Sequence, residues 1–284
     1  MKILHVVPGL DELGNGIAVA AKLIADEQKA DLVEARHFAS GQGDVSQYDE
    51  VWVHSAWLPM VLHSCRRVLK AGKRLVRMSH ANYDPVRLSY HGWKKRLVAP
   101  IDRYYLRKAD KVIATCEAET NWIRAYEPRV KSIEVIGLKS FYKLQGTGNT
   151  GHSAEGERAL HLLYLGRRHP LKGLKYLEAA LTTYYNKCPI EFRAVSNAFG
   201  DELEKVWDWC DVLILPTLSD NFGLVIAEAL ERGKRVITTD GAPVWGDGNT
   251  YGGRLTYLTG YRDGTPEERV QLLKSAIERL VVSG

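Results

Sequence analysis

The stretch LPTLSDNFGLVIAEALERGKRVITTDGAP, residues 215–243, decides the fold class. Its apolar start predicts a buried strand that ends at Pro216, and a polar loop follows. The next apolar residues recur at helical spacing up to Gly233, where the helix is expected to end. A second strand is predicted from Lys234. Strand, loop, helix and strand in this order form the repeating unit of a parallel α/β sheet.

The polar loop in this stretch is suited to binding an anionic ligand. Asp220 or Asn221 is expected to cap the following helix, and Gly223 permits close approach of the backbone. The first amides of a helix have no acceptor within the helix and therefore favour an anion. Glu228 follows on the same helix. The alternative for Glu228 is an exposed carboxylate paired with Arg232, one turn later.

Apolar runs alternate with amphipathic stretches along the rest of the chain. Strands are predicted, for example, at Leu32–Phe38, Leu160–Leu165 and Val212–Leu215. Repeated strand–helix units predict an α/β fold with parallel sheets that helices cover on both faces. The alternation is interrupted at residues 145–157, QGTGNTGHSAEGE, a polar segment typical of a linker.

The interruption divides the chain into two similar halves. We predict an N-terminal domain at residues 1–145, a linker at 146–158, a C-terminal domain at 159–265, and a final helix in 266–284 that packs back on the first domain. Both domains are expected to be Rossmann-like and doubly wound, and to face each other across a cleft. Strand ends and helix starts converge in such a cleft, which is where these sheets bind ligands.

A second motif, LLYLGRRHPLKGLKYLEAA at residues 162–180, places cations at a strand-to-helix turn. Arg167 and Lys172 lie in the turn, and the helix is expected to open at Gly173. Two cations in such a turn suit a diphosphate, because they neutralise the charge that builds on it as a leaving group. Arg168 is the alternate to Arg167, and the alternative for all of them is a solvated loop cation.

Two further segments of the first half are candidates for the same site. Gly14, Asn15 and Gly16 precede the first predicted helix, although a flexible turn uses the same residues. His80 follows a predicted strand in VRMSHANYDP, residues 76–85. Its alternative is a loop histidine whose ring the backbone satisfies.

These motifs together resemble the retaining GT-B glycosyltransferases of the large family-four group. Asp220 and Glu228 are spaced as the two acids of that family's acidic motif, which usually has Glu at the first position. The turn with Arg167 and Lys172 is similar to the family's G-R-x4-K-G element. The resemblance runs from the first strand to about Gly246, and the C-terminal domain is abridged relative to the family.

The resemblance implies roles for the residues that match. Glu228 would bind the ribose of the donor nucleotide, and Asp220 to Leu224 (Asp220, Asn221, Phe222, Gly223 and Leu224) would line the site for the sugar and phosphates. The amides of Gly14 to Gly16 would approach the phosphates, and His80 would touch the donor sugar near the reaction centre. Glu117 and Glu119 fall in a matching C-E-A-E segment, where Glu117 is equally explained as an acid at a helix start.

Charge in the first half is uneven. Between Glu50 and Asp84 there are six basic residues and no acidic one, and further cations and aromatic residues follow up to Lys111. A basic face with aromatic residues suits an anionic lipid surface or a phosphorylated glycan, and it also suits nucleic acid. The alternative is an ordinary solvated helix face. The four cysteines, Cys65, Cys116, Cys188 and Cys210, are too far apart for a zinc motif and are expected to be reduced thiols.

These residues supply cations and no metal-binding cluster, so we expect metal-independent transfer of a hexose without a cofactor. The resemblance implies that the anomeric configuration is retained. The donor would be a nucleotide-diphosphate sugar, with a UDP-sugar favoured, and the acceptor a glycan or glycolipid of bacterial surface polysaccharide or lipopolysaccharide. We expect a cytoplasmic protein that is peripheral on the inner membrane and does not bind nucleic acid. The alternatives are a catalytically degenerate nucleotide-sugar-binding subunit of a membrane-associated complex, and a basic nucleic-acid-binding protein.

Overall fold

The computed structural model describes residues 1–90, 92–144, 159–182 and 190–282. The chain divides into two compact units, Met1–Leu138 and Lys139–Gly284. The predicted linker at residues 146–158 lies outside the described residues.

The first unit is built on a parallel sheet of six strands. The strands are β1 (Ile3–Val7), β2 (Asp31–Glu34), β3 (Glu50–His54), β4 (Arg74–Met78), β5 (Lys111–Ala114) and β6 (Ile133–Val135). Their order across the sheet is β2-β1-β3-β4-β5-β6. The order reverses between β1 and β3, which makes that position the topological switch point, where open α/β sheets bind ligands.

Helices connect the strands of this unit. They are α1 (Gly16–Gln28), α2 (Ala35–Ala39), α3 (Pro59–Lys70), α4 (Pro85–Ser89), α5 (Gly92–Lys108) and α6 (Glu117–Tyr126). Because side chains alternate along a strand, Leu4 and Val6 join the main core cluster of the unit, whereas His5 lies on the opposite face.

The predicted strand Leu32–Phe38 is wrong in its second half, because the chain turns into α2 at Ala35. Glu34 causes the change. Its Oε1 accepts a hydrogen bond from the Arg36 amide at 3.2 Å, and its Oε2 accepts one from the Leu10 amide at 2.7 Å. A carboxylate that caps the first turn favours a helix start over continued strand.

The second unit repeats the plan with five parallel strands in its described part. They are β7 (Leu160–Leu165), β8 (Ile190–Val195), β9 (Val212–Leu215), β10 (Arg235–Thr239) and β11 (Leu255–Leu258), in the order β11-β10-β9-β7-β8. The helices are α7 (Leu174–Leu181), α8 (Asp201–Trp209), α9 (Leu224–Glu231) and α10 (Pro266–Val282). The switch point of this sheet lies between β7 and β9.

The final helix, α10, packs against α7 inside the second unit. Arg269 of α10 donates through Nη1 to the hydroxyl of Tyr176 on α7 at 2.9 Å. The α/β class and the two Rossmann-like sheets are confirmed. A return of α10 to the first unit stays a prediction, as does a cleft between the two units.

Candidate functional site

The two motifs of the second unit meet at the switch point of its sheet. β7 leads into the turn that contains Arg167 and Lys172, and the neighbouring β9 leads into the loop from Pro216 to Gly223. The turn and the loop are joined at Leu171, whose carbonyl oxygen accepts from the Leu218 amide at 2.8 Å and from the Thr217 hydroxyl at 3.0 Å. The sheet topology therefore brings together segments that lie about fifty positions apart in the sequence.

Gly173 makes this approach possible. Its φ is +70°, a left-handed conformation that favours glycine, and a Cβ at this position would lie 1.9 Å from the carbonyl oxygen of Pro216. Any side chain would push β9 and its loop away from the turn. The glycine of this motif is thus required by packing as well as by backbone conformation.

Lys172 and Asp220 form an ion pair across the junction. Nζ of Lys172 donates to Oδ2 of Asp220, and the two side chains are only 17% and 13% exposed. Asp220 is also fixed by its backbone, since its amide donates to the Gly241 carbonyl at 2.8 Å, and its Oδ1 accepts from the Asn221 amide at 2.8 Å. The predicted diphosphate cation and the predicted sugar-contacting acid are therefore neighbours.

The two arginines of the turn differ in their partners. Arg168 Nη1 lies 3.6 Å from Oε1 of Glu178 on α7, whereas within the described part of the chain the Arg167 guanidinium has no carboxylate partner. Both guanidinium charges also act on Tyr164. Burial and the charge of Asp220 raise the pKa of Tyr164 to about 12, and the two arginines oppose this rise. The two arginines are both exposed, and Arg168 differs from Arg167 in lying within ion-pair distance of Glu178.

The start of α9 differs from the prediction. Its N-cap is Gly223, with φ +67° and no side-chain hydrogen bond, so the expected capping by Asp220 or Asn221 is wrong. Asp220 cannot cap the helix because its carboxylate is held by Lys172 and by the Asn221 amide. Leu224 is the first residue of the helix, and its N-cap residue offers no side-chain acceptor to the first amides.

Aromatic residues hold the loop that precedes α9. Phe222 is buried, with its ring 5.8 Å from the ring of Tyr142 and 5.3 Å from that of Trp245 between centroids. Trp245 also donates its indole N–H to the Phe222 carbonyl oxygen. Sequence reasoning missed Tyr142 and Trp245, since neither lies in the motif and neither has a recognisable spacing to it.

Glu228 lies half-buried on α9, and burial raises the pKa of its carboxyl group. Glu228 does not form the alternative ion pair with Arg232. Arg232 pairs instead with Glu204 on α8, with Nη2 2.7 Å from Oε1. The Arg232 charge still lowers the pKa of Glu228 in part, and the charge of Glu228 adds to the burial that raises the pKa of Tyr142 to about 12. A desolvated carboxylate gains from new hydrogen-bond donors, which ribose hydroxyls could supply.

The glycine-rich segment of the first unit forms the turn between β1 and α1. Asn15 is the N-cap of α1; its Oδ1 accepts from the Ile17 amide at 3.1 Å, and its Nδ2 donates to the carbonyls of Pro8 and Gly9 at 2.9 Å. Gly14 and Gly16 are exposed on either side. The Asn15 side chain is therefore used to close the turn, and only backbone amides remain for the predicted contact with phosphates.

His80 lies in a backbone turn that a buried glutamate holds. His80 and Ala81 have φ of +53° and +56°, which non-glycine residues rarely adopt. Glu119, 1% exposed, accepts from the Ser79 hydroxyl and the Ala81 amide through Oε1, and from the Thr115 amide and hydroxyl through Oε2. Glu117, in contrast, is exposed in the first turn of α6, as its helix-start alternative states.

Some of the basic side chains expected on the surface of the first unit bond to other groups of the same unit. Arg67 donates to the Phe38 and Gln42 carbonyls at 2.6 Å, and Arg77, 1% exposed, pairs with Asp102 at 3.1 Å. Exposed cations lie on α3 and on α5. Among those of α5 lie four exposed apolar or aromatic side chains at helical spacing: Trp93 (64%), Leu97 (72%), Ile101 (52%) and Tyr104 (45%).

Among the described residues, no group of three or more His, Cys, Asp or Glu side chains could hold a metal ion, and no helix has the length and apolar character to cross a membrane. Cys65 and Cys210 are buried, which raises the pKa of their thiols to about 11 and about 12. Such thiols are poor nucleophiles at neutral pH. Cys188 lies outside the described residues.

Comparison with known proteins identifies the fold. Residues 11–139, less than half of the chain, match the family model described as a glycosyl transferase 4-like domain. Anabaena HepE in complex with UDP-glucose is similar over 99% of this chain and 90% of that chain, with a TM-score of 0.60 and 16% identity. This is the GT-B fold. The GT-B assignment rests on shape, since at such identities only the fold is shared.

Two further solved structures share the GT-B fold with this chain. The lipopolysaccharide outer core galactosyltransferase WaaB matches with a TM-score of 0.57 and 16% identity, over 99% of this chain and 91% of that chain. An α,α-trehalose-phosphate synthase (UDP-forming) from Burkholderia vietnamiensis matches with a TM-score of 0.61 and 12% identity, over 98% and 91%. No curated protein sequence matches this chain significantly.

Proposed function

We propose that this protein is a glycosyltransferase that moves a hexose from a nucleoside-diphosphate sugar to a glycan or glycolipid acceptor, with retention of anomeric configuration. The observation that carries the proposal is the junction at the second switch point. There the turn with Arg167 and Lys172 adjoins the loop with Asp220, Lys172 and Asp220 form an ion pair, and the N-cap of α9 makes no side-chain hydrogen bond. A diphosphate is attracted by the Arg167 guanidinium and by the helix start, and it gains Lys172 when the ammonium group exchanges Asp220 for the phosphates.

The chemistry follows from the charges at this junction. The bond between the anomeric carbon and the diphosphate oxygen breaks, and Arg167 and Lys172 stabilise the negative charge that remains on the leaving group. An acceptor hydroxyl attacks the anomeric carbon from the same face, and its proton passes to the departing phosphate. Because protein cations neutralise the diphosphate, the proposed reaction needs no metal ion and no cofactor.

The remaining residues orient the donor. Asp220 binds a sugar hydroxyl, with a side chain one methylene shorter than the glutamate usual in the family, and Glu228 binds the ribose. The backbone amides of Gly14 and Gly16 and the ring of His80 are proposed as further donor contacts. A uridine nucleotide is favoured, since HepE has been crystallised with UDP-glucose and the synthase is UDP-forming.

The acceptor is proposed to be lipid-linked, such as a lipopolysaccharide core, at the cytoplasmic face of the inner membrane. The support is α5, whose exposed stripe of Trp93, Leu97, Ile101 and Tyr104 is flanked by the exposed cations Lys94, Arg96, Arg103 and Lys108. Apolar side chains between cations suit the boundary of an anionic membrane. Nucleic acid binding is not proposed, because it leaves the junction in the second unit unexplained.

A second candidate is a nucleotide-sugar-binding subunit that has lost catalysis. The C-terminal domain, which is abridged relative to the family, and the aspartate at position 220, where glutamate is usual, favour it. Slow release of nucleoside diphosphate from a donor sugar in water would exclude this candidate, since a subunit without catalysis binds the donor but does not cleave it.

The test of the proposal is a thermal-shift panel of UDP-, GDP- and ADP-sugars, since a ligand that binds the folded state raises Tm. We expect one nucleotide class to raise Tm. Glu228→Gln should weaken that binding about tenfold, because a charge-assisted hydrogen bond is lost. Glu202→Gln, at an exposed position of α8, is the matched control and should bind as the wild type does. A panel without any shift would contradict the proposal.

A further inference from the structure

Three buried histidines form a continuous chain of hydrogen bonds on one face of the first sheet. His5 of β1 lies with Nδ1 2.9 Å from Nε2 of His54, the last residue of β3. His54 Nδ1 is in turn 2.8 Å from Nε2 of His80. The three side chains are 0%, 0% and 1% exposed, so the chain runs through the interior from the candidate site residue His80.

The far end of the chain lies on a helix. His5 Nε2 is 2.9 Å from Oε1 of Gln28, the half-exposed last residue of α1. The ring of Trp52 stacks on His5 with centroids 5.0 Å apart, and the His54 and His80 rings stack with centroids 5.1 Å apart. Packing therefore fixes the ring planes, and both ring nitrogens of His5 and of His54 lie within hydrogen-bond distance of a neighbour in the chain.

Hydrogen-bond arithmetic limits the protonation states of the chain. All three rings are neutral at pH 7, because burial lowers the pKa of each. The pKa of His5 falls to about 4. Neighbouring charges add to the effect of burial at the other two rings, so that the pKa of His80 falls to about 3 and that of His54 falls well below 6.5. A neutral imidazole has one donor and one acceptor nitrogen. Each nitrogen–nitrogen contact needs one proton, so the three rings must share the same tautomer.

Gln28 decides which tautomer that is. Its Oε1 can only accept, so His5 must donate from Nε2, His54 must then donate from Nε2 to His5, and His80 from Nε2 to His54. The lone pair of His80 is thereby placed on Nδ1. Burying imidazoles is costly unless their polar atoms are paired, and this chain pairs all four ring nitrogens of His5 and His54.

We propose that His5, His54 and Gln28 are positioning residues that hold His80 in the Nε2–H tautomer and so make its Nδ1 a hydrogen-bond acceptor. That this nitrogen accepts from a hydroxyl of the donor sugar rests on the proposed function. The tautomer itself does not, because it follows from contacts inside the first unit.

The test is nitrogen NMR of the full-length protein with ¹⁵N-labelled histidine, recorded at pH 7 without ligand. Signals are assigned with His→Phe variants, and His37→Phe, at an exposed position of α2, serves as the control that leaves the chain intact. We expect His5, His54 and His80 all as Nε2–H tautomers. An Nδ1–H tautomer at any of the three positions would overturn the proposal.

Gln28 provides a second test that does not disturb the core. Gln28→Glu keeps an acceptor oxygen and should preserve the Nε2–H signal of His80. Gln28→Leu removes the acceptor and should convert the His80 signal to a mixture of tautomers, although two rings separate the substitution from His80. An unchanged His80 signal in Gln28→Leu would show that the chain does not transmit the preference.

Steady-state kinetics then separates this proposal from the proposed function. If the donor contact exists, Gln28→Leu raises KM for the donor several-fold and Gln28→Glu restores it. A protein with the expected tautomers but no donor turnover would contradict the proposed function and leave the positioning role intact.

Discussion

The side chains of Lys172 and Asp220 form an ion pair between two strand-to-helix connections that are 48 positions apart in the sequence. The pair is mostly shielded from water and lies where β7 and β9 end side by side. The candidate binding site of the second unit lies at this pair. We propose that a bound diphosphate competes with Asp220 for the ammonium group of Lys172. The Asp220 carboxylate then accepts a hydrogen bond from a hydroxyl of the sugar.

Removal of Lys172 should affect stability and turnover differently. Lys172→Ala leaves the Asp220 charge without its cation, which we expect to lower the free energy of unfolding by about 1–3 kcal/mol. Turnover should fall about 100-fold or more, since a cation that stabilises the leaving group is lost. Lys205→Ala, at an exposed position of α8, is the control and should change neither quantity.

The double variant Lys172→Ala/Asp220→Asn distinguishes a structural pair from a functional one. Replacing the carboxylate removes the unpaired charge, so denaturant unfolding should return close to the wild-type free energy. Turnover should not return. Recovery of both would mean that Lys172 acts only by neutralising Asp220.

Gly173 should tolerate no side chain. Gly173→Ala places a Cβ 1.9 Å from the Pro216 carbonyl oxygen and should lower the free energy of unfolding by about 3 kcal/mol or more. Gly72→Ala is the matched control, because Gly72 also has a positive φ, +65°, but its Cβ would meet no atom within 4 Å. That variant should lose only the conformational cost of about 1–2 kcal/mol. Equal losses in urea unfolding would refute the close approach.

Acidification should destabilise the first unit before carboxylates titrate. The folded state keeps His5, His54 and His80 neutral, with pKa values of about 4 and about 3 for His5 and His80, whereas the unfolded chain binds protons below about 6.5. The unfolded state therefore gains protons first, and the free energy of unfolding falls as pH decreases from 6.5. Each histidine contributes up to about 1.4 kcal/mol per pH unit.

Urea unfolding at several pH values between 7.5 and 5 measures this slope. The exposed-site variant His37→Phe should keep the wild-type slope, and His54→Phe should reduce it. A free energy of unfolding that stays constant between pH 6.5 and 5 would mean that the three rings are not held neutral.

The exposed stripe of α5 should bind anionic membranes. Trp93→Ala/Leu97→Ala should reduce partitioning onto vesicles that contain phosphatidylglycerol at least tenfold, because each side chain contributes about 1.5–3 kcal/mol when it leaves water. Phe199→Ala is the control, since Phe199 is 41% exposed in the second unit. Binding should weaken with salt, because exposed charges are screened. Equal binding to uncharged phosphatidylcholine vesicles would contradict the role of the cations.

The sequence predicted the frame of the fold because buried parallel strands are short apolar runs between turns. Leu160–Leu165 and Val212–Leu215 have the predicted ends, since Gly166 and Pro216 stop them. Leu32–Phe38 failed because the side chain of Glu34 caps a helix, and a single acid within an apolar run does not reveal its partners.

The sequence predicted which residues belong to the candidate site, but it did not predict which of their side chains contact each other. Arg167, Lys172, Asp220 and Glu228 lie in recognisable motifs, yet the ion pair of Lys172 with Asp220 depends on which strands are neighbours. The histidine chain was missed for the same reason. ILHVV and EVWVH each contain one histidine in an apolar strand, and only the register of β1 and β3 places them on one face.

A structure of the protein determined with bound UDP tests the central claim most directly. The account predicts the diphosphate within hydrogen-bond distance of Lys172 Nζ and the Arg167 guanidinium, and the ribose hydroxyls on the Glu228 carboxylate. UDP bound at any other place, with the Lys172–Asp220 pair undisturbed and Glu228 without a ligand, would contradict it.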